Sequence, residues 1–433
     1  MTNEASLRKG WCPSIRRPML AKDGLIVRVR VLGGIIAAAA MKAMARAGLQ
    51  YGNGTFDLSM RGNLQIRGVT SQSLPYLIEA LGSAGLVDQG IAPIQNIALS
   101  PLAGLDGRHE ARDAALALEA MLAAGKDLDT LPAKFSFLID DGAELSLSSL
   151  AADIRFDWSA RDNAFTIGIG GSADDASPLG ICSASDIPEI AMRLAHVFLR
   201  LVSLIEQPPR RMRDLTDLCG AQTIAREAGL SLTDRQDAQR AIEPSPIGLM
   251  SFHGIECFGM GVAFGQLNSS MLEAAAAAAE TFGASEIRLT PCRALLIPDI
   301  REGSSNALGA FLAGKGFITG RTDSRLAVSA CGGAINCERG TTDTRADALA
   351  IAPIARKLRQ SGIALHISGC RKRCARPAAL FTLEADQGLY KLVAPPSFGD
   401  EESANQPLTA AQAYEKLALL AAAPGIEDMS KQP

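Results

Sequence analysis

Two well-separated stretches of the chain carry the same order of short apolar runs, and that repeat limits the fold more than any other feature. In the first, Leu25, Val27, Val29 and Val31 alternate with Arg28 and Arg30 across Gly24 to Val31. A period of two with one apolar and one basic face predicts a strand. An Ala-rich helical stretch from about Ile35 to Ala47 follows and is ended by Gly48; then come alternating runs at Thr55 to Met60 and Leu64 to Val69, and a helix near Ser73 to Ala84. The second stretch repeats this β-α-β-β-α order through Phe258 to Gly265, Ser269 to Phe282, Ser285 to Thr290, Arg293 to Pro298 and Asn306 to Gly314. The scale matches too: Leu25 to Leu58 spans 33 positions and Gly259 to Leu289 spans 30. An internal duplication is expected, each copy a small sheet with helices on one side.

Each copy leads into a longer region. After the first, strands are expected at Lys134 to Ile139, Asp153 to Trp158 and Ala164 to Ile169, with a helix near Pro188 to Ile205. After the second come Leu326 to Ser329, a helix near Arg345 to Gln360, and strands at Ala364 to Ile367 and Leu380 to Ala385. A polar connection, Glu206 to Ser245, separates the halves. The fold class is therefore α+β, internally duplicated, with units at 1–86, 87–240, 241–316 and 317–425.

Charge and composition narrow the function. The 433 residues include 43 basic and 46 acidic side chains, a net −3, so no global field draws nucleic acid. Aromatics (14 Phe, 4 Tyr, 2 Trp) are too few for a stacking surface. Residues 1–17 have no apolar run ahead of Trp11, and no stretch reaches the roughly 18 uninterrupted apolar residues of a membrane span, so a cytoplasmic protein is expected. Gly309 to Gly316 imitates a phosphate loop, but Gly316 stands where a Ser or Thr hydroxyl is needed.

Nine cysteines in a reducing compartment point to ligands or buried apolar groups. Four fall late in the chain: Cys331 and Cys337 with five residues between them, Cys370 and Cys374 with three. A helix starting at Cys370 would put positions i and i+4 on one face. Arg371, Lys372 and Arg373 lie between, and their charge together with the helix dipole would favour thiolates. Tetrahedral zinc is usually wrapped by shorter gaps, and a [4Fe–4S] cluster suits this spacing better. Gly332, Gly333 and Gly369 allow close backbone approach to such a group. Cys12, Cys182, Cys219, Cys257 and Cys292 show no ligand spacing.

The two cysteine pairs on a duplicated β-α-β-β-α chain resemble the sirohaem-containing nitrite and sulfite reductase family, over nearly the whole length. The resemblance is closer to the branch that makes precorrin-3B from precorrin-3A in aerobic cobalamin biosynthesis. Its carriers are Arg8-Lys9-Gly10-Trp11-Cys12-Pro13-Ser14, Tyr51-Gly52-Asn53-Gly54, Arg61-Gly62-Asn63-Leu64-Gln65-Ile66-Arg67-Gly68, Thr290-Pro291-Cys292-Arg293, and Leu365-His366-Ile367-Ser368-Gly369-Cys370 running into Cys374-Ala375-Arg376-Pro377. The resemblance implies two ferredoxin-like half-domains, a [4Fe–4S] cluster on Cys331, Cys337, Cys370 and Cys374, and a mononuclear non-haem iron. It also implies O2 as co-substrate and NADH as ultimate electron source, reached through a separate reductase or carrier. With four histidines (His109, His196, His253, His366), such an iron would lean on carboxylates or on the substrate; His366 reads as a strand residue.

The reductases hold their anion with a cluster of cations. Arg61 and Lys134 keep two of these, whereas Gln95 and Ser136 stand where the family has Arg and Lys. Losing paired charge weakens small-anion binding and leaves a cradle for a polycarboxylate. Arg28, Arg30, Arg61, Arg67, Lys134 and Arg293 are then expected to clamp tetrapyrrole carboxylates, with Asn63 and Gln65 beside them. Arg28 and Arg30 also fit a solvated strand face. A sirohaem-dependent nitrite or sulfite reductase and a non-catalytic iron–sulfur electron carrier are the alternative expectations.

Overall fold

The computed structural model describes residues 13–87, 96–105, 107, 110–232, 245–374, 381–394 and 406–422. Trp11, Cys12, Gln95, His109 and the run 375–377 lie outside them.

The first copy comprises β1 (Met19–Ala21), β2 (Gly24–Val29), β3 (Ile35–Ala37), α1 (Ala38–Tyr51), β4 (Thr55–Leu58), β5 (Leu64–Val69) and α2 (Leu74–Ser83). Then follow β6 (Asn96–Leu99), α3 (Glu110–Ala124), β7 (Ser136–Asp140), β8 (Ala152–Ser159), β9 (Ala164–Gly171), β10 (Ser177–Cys182), α4 (Ile187–Val202), α5 (Met212–Cys219) and α6 (Ala221–Glu227). The second copy has β11 (Gly248–Phe252), β12 (Ile255–Gly261), β13 (Gln266–Asn268), α7 (Ser269–Phe282), β14 (Glu286–Leu289), β15 (Ala294–Ile297) and α8 (Ser305–Ala313). The last region holds β16 (Val328–Ala330), α9 (Gly333–Asn336), α10 (Thr344–Gln360), β17 (Leu365–Ser368), β18 (Phe381–Asp386), β19 (Leu389–Val393) and α11 (Ala410–Ala422).

The fold is α+β and internally duplicated, and the copies interlock. One sheet runs β1-β2-β5-β4-β13 and its counterpart β11-β12-β15-β14-β3, so each borrows its fifth strand from the other copy. Ile36 pairs with Ile287, and Leu267 pairs reciprocally with Phe56. The expected helix from Ile35 is corrected here: Ile35–Ala37 leaves its own sheet after a turn at Gly33 and Gly34, both at positive φ, and crosses over. Gly48 does not end α1. It lies within the helix against the Phe56 ring, where a Cβ would come within 2.2 Å of the ring's Cζ.

The helix-facing sides of both sheets share one core, in which Val27, Val29, Phe56 and Ile66 join Met260, Leu272, Leu295 and Ile297. Period-two alternation therefore sends Arg28, Asp57, Gln65 and Arg67 to the opposite face of the first sheet. In the second sheet that opposite face is apolar and closed, with Cys257 and Leu296 packed on Leu102 and Leu145. Buried Arg288 of β14 donates to the carbonyls of Pro101 and Ala103 at the same junction.

The third sheet, β10-β9-β8-β7-β6, packs on α3 and α4 through Phe135, Phe137 and Phe198. The segment read as a polar connection carries α5 and α6, whose Met212, Leu215 and Ile224 complete this core. The fourth sheet, β16-β17-β18-β19, is parallel through its first three strands and lies under α10. No helix among the described residues is long and apolar enough to cross a membrane.

Candidate functional site

Cys331 leaves the end of β16 with its N–H on the Ile367 carbonyl (3.1 Å) and its own carbonyl accepting from the Thr344 hydroxyl (2.7 Å). Its Sγ receives the N–H groups of Gly369 (3.2 Å) and Gly333 (3.5 Å). Gly333 stands at φ 55°, and a Cβ on Gly340 would lie 2.3 Å from the Gly333 carbonyl carbon, so this backbone crossing admits only glycine. Cys337 follows the single-turn α9, its N–H on the Gly333 carbonyl.

The helix expected at Cys370 does not form. Cys370 to Cys374 is a turn closed by Arg373 N–H on the Cys370 carbonyl (3.2 Å), with Arg373 at φ 49°. Arg371 and Arg373 turn away to Asp386 and Glu384 of β18. With no helix dipole and two cations paired elsewhere, burial pushes the Cys370 and Cys374 thiols up, and nearby Cys331 and Cys337 add to this; Lys372 opposes it at both, Arg339 at Cys370. Each of these two thiols thus feels the charge of the other pair. Among the described residues no three Cys, His, Asp or Glu side chains, the four cysteines included, come together closely enough to hold a metal ion, so ligands for a mononuclear iron are not gathered. Four soft sulfur donors, backbone N–H groups aimed at one of them and glycine walls fit an iron–sulfur cluster. His366 is buried, its Nδ1 2.8 Å from the Ser329 hydroxyl.

The first sheet's polar face borders this loop. Cross-strand register sets Arg28, Gln65, Asp57 and Gln266 in one row over β2, β5, β4 and β13. Arg67, expected as a clamp, is committed to the protein. Its Nε and Nη2 donate to Asp23 (2.8 and 2.7 Å), its Nη1 to Asp57 (2.8 Å), and Nη2 also to the Asn336 carbonyl (2.8 Å). Burial opposes ionisation of Asp23, but Arg67 and Asn336 outweigh it and hold the carboxyl below its ordinary 3.8. Lys22 donates to the Ala334 carbonyl (2.7 Å), so the loop between the first two cysteines is tied to this sheet from three sides.

Sequence reasoning missed Arg345. It donates through Nη2 to Asp57 (2.6 Å) and through Nη1 to Asn336 Oδ1 (2.9 Å), while its Nε is buried without a hydrogen-bond partner among the described residues. Arg28 Nε is in the same position. Arg293, at φ 56°, makes no side-chain hydrogen bond among the described residues; desolvation and then Arg345 lower its pKa, against the pull of Asp57 and Cys331. Arg345 and Arg293 thus bring guanidinium groups with unspent donors to Asp57, while Arg28 lies two strands away in the same row. The available signal for Arg345 is its place in the first turn of α10, where a cation opposes the helix dipole.

Further along the same face, Arg30, Arg61 and Asn63 line an open groove of ≈ 550 Å³ against the third sheet. Arg30 is paired with Glu119 across it. Asn63 Nδ2 donates to the Arg61 carbonyl (3.1 Å) and its N–H to the Ser59 hydroxyl (3.1 Å), fixing the turn that presents Arg61. A second pocket of ≈ 250 Å³ shares Arg61, Ile97 and Ala98 and adds Ser136, Leu138 and Leu150. Lys134 is exposed and lines neither. Ser136, in place of a cation, donates its hydroxyl to buried Asp153 (3.2 Å).

Residues 17–84 and 253–313 match the model of the nitrite/sulfite reductase ferredoxin-like half domain. A precorrin-3B synthase from Sinorhizobium sp is 28% identical over 86% of this chain and 80% of its own. A ferredoxin–nitrite reductase from Synechococcus elongatus is 26% identical over 86% of this chain and 77% of its own. The solved Mycobacterium tuberculosis NirA protein, at 21% identity, superposes with a TM-score of 0.76 over 91% of this chain and 79% of that one. Residues 17–84 and 253–313 thus form two ferredoxin-like half domains of the nitrite/sulfite reductase type, set in a chain that shares the NirA fold along nearly its whole length.

Proposed function

We propose that this oxidoreductase is a precorrin-3B synthase. One oxygen atom of O2 enters a meso carbon (C20) of precorrin-3A, a neighbouring acetate closes a lactone, and two electrons and two protons take the second oxygen to water. The observation that carries this reading is the combination of guanidinium groups with unspent donors, Arg28 on β2 and Arg293 and Arg345 near Asp57 and the cysteine loop, with a neighbouring groove that Arg30 and Arg61 line on one side and the apolar Ile97, Ala98 and Leu99 of the third-sheet region on the other. A reduced tetrapyrrole, flat and apolar in the middle with carboxylates at its rim, matches both.

In this reading Arg28, Arg293 and Arg345 receive rim carboxylates, Arg61, Asn63 and Gln65 orient the near edge, and the apolar wall excludes water. Arg30, paired with Glu119, lines the groove, and Lys134 lies outside both pockets. A [4Fe–4S] cluster on Cys331, Cys337, Cys370 and Cys374 would supply electrons one at a time. NADH serves as ultimate source through a separate donor protein, since no dinucleotide fingerprint occurs in the sequence. Ser136, bound to a buried carboxylate, adds no cation for sulfite or nitrite.

The test is an absorption spectrum of the purified protein with a tetrapyrrole titration beside it. A broad iron–sulfur shoulder and saturable tetrapyrrole binding are expected. A stoichiometric sirohaem band would make the protein a reductase, and failure to bind any tetrapyrrole would leave an electron carrier.

A further inference from the structure

The turns that lead into the two exchanged strands share one backbone path. Gly33 (φ 57°, ψ 14°) and Gly34 (φ 73°) precede β3, and Phe264 (φ 54°, ψ 16°) and Gly265 (φ 72°) precede β13. Left-handed backbone of this kind suits glycine and strains an aromatic residue. The first copy has the glycine, and Gly33 lines the groove. The second copy holds a phenylalanine there, and its side chain packs on the core under α10 that contains Ala327, Val328 and Ala330. Val328 and Ala330 belong to β16, the strand that delivers Cys331.

The same turn holds Arg293. The Val262 N–H donates to the Arg293 carbonyl (2.9 Å), and the Gly265 N–H closes the turn on the Val262 carbonyl (3.0 Å). A Cβ on Gly265 would lie 3.1 and 3.3 Å from Arg293 Cδ and Nε and 2.8 Å from the Leu58 carbonyl oxygen, so the Arg293 side chain rests against a bare α-carbon. Arg293 is itself left-handed, at φ 56°, and its guanidinium feels the charges of Arg345, Asp57 and Cys331. Strained non-glycine residues joined through one turn persist only where their surroundings over-determine them, and such strain gathers where a group must be held in advance. We propose that Phe264 is a positioning residue: anchored in the core beside β16, it fixes the turn that holds Arg293, so that a rim carboxylate meets a guanidinium already in place. This rests on the role given to Arg293 above. A side chain held in advance loses little conformational freedom on binding.

Uroporphyrin, an octacarboxylate porphyrin, is the probe, titrated into the purified full-length protein. Arg293→Gln should weaken its binding roughly tenfold, as loss of one charged hydrogen bond does. Phe264→Gly, which relieves the backbone and removes the anchor, should raise the dissociation constant several-fold. Phe264→Leu, which keeps an apolar anchor, should recover most of the wild-type affinity. In the Arg293→Gln background, Phe264→Gly should add less than about twofold, because its effect passes through Arg293. An equal factor in both backgrounds would make Phe264 a structural residue and overturn the assignment. Phe264→Asn, whose side chain tolerates the same φ, replaces the glycine variant if that fails to fold, and misfolding of both would likewise make the residue structural. Weakened binding in Arg293→Gln beside wild-type affinity in Phe264→Gly overturns the assignment alone. Wild-type affinity in Arg293→Gln, or no binding by the wild type, removes the reading on which the assignment rests.

Discussion

Arg345 carries the sharpest expectation at the scale of single residues. A hydrogen bond between charged groups contributes about 1.5–3 kcal/mol, so removing one clamp should weaken ligand binding roughly tenfold to a hundredfold. Arg345→Gln should show that loss in the tetrapyrrole titration with its circular dichroism unchanged. Arg345→Lys should recover only part of the affinity, because a point charge cannot serve Asp57 and a ligand as a fork does. Wild-type affinity in both variants would remove Arg345 from the site. The Asp23–Arg67 pair gives a pH expectation. Asp23 has a folded pKa below its ordinary 3.8, so its contribution to stability is present above that pH and is lost as pH falls through the folded value. Asp23→Asn should therefore lower the melting temperature at pH 7, and the gap to wild type should narrow at pH 3; an unchanged gap would mean that the pair does not govern acid stability. The alternation of Arg28 was legible in sequence because period is a local property. Arg345 was not, since its partner Asp57 lies 288 residues away, and Arg67 looked like a clamp because Asp23, 44 residues off, gives no local sign of capturing it.

Among the elements, the glycines at packing contacts separate local propensity from tertiary constraint. Replacing Gly48 by Ala should gain about 1 kcal/mol of helix propensity in α1. The added methyl would meet the buried Phe56 ring at 2.2 Å, and overpacking costs about 1–3 kcal/mol, so a lower melting temperature is expected. Gly340→Ala should act differently: its Cβ meets backbone at 2.3 Å inside the cysteine loop, so iron and sulfide content should fall while the rest of the chain still melts cooperatively. Full iron loading would show that the loop tolerates the shift. Sequence periodicity reached α7 and β5 to their ends, since both elements bury a regular stripe on the shared core. It failed at Cys370, where a spacing compatible with a helix is overridden by Asp386 and Glu384 pulling the intervening arginines onto β18. It failed again at Ile35–Ala37, because three residues are too few to distinguish a strand from the first turn of the helix that follows.

For the whole molecule, duplication has been put to unequal use. Both sheets turn one face to a common core, but the second closes its other face with Cys257 and Leu296, whereas the first leaves arginines, Gln65 and Asp57 beside the cysteine loop. In the proposed reading the first copy supplies most of the binding surface, and the second adds Arg293 and otherwise supplies support. The reciprocal exchange of β3 and β13 makes that division dependent on both copies being present: a first half alone has no partner for Ile35–Ala37, exposes the edge of β4, and opens the core at the contact between α1 and α7. An unpaired strand edge and half an apolar core favour association over folding. Fragment 1–240 expressed alone should therefore aggregate or melt without a cooperative transition, and co-expression with fragment 241–433 should restore a single transition near that of the intact chain. A sharp, reversible melt of the isolated first fragment would show that the exchanged strands decorate the interface instead of joining the copies into one folding unit.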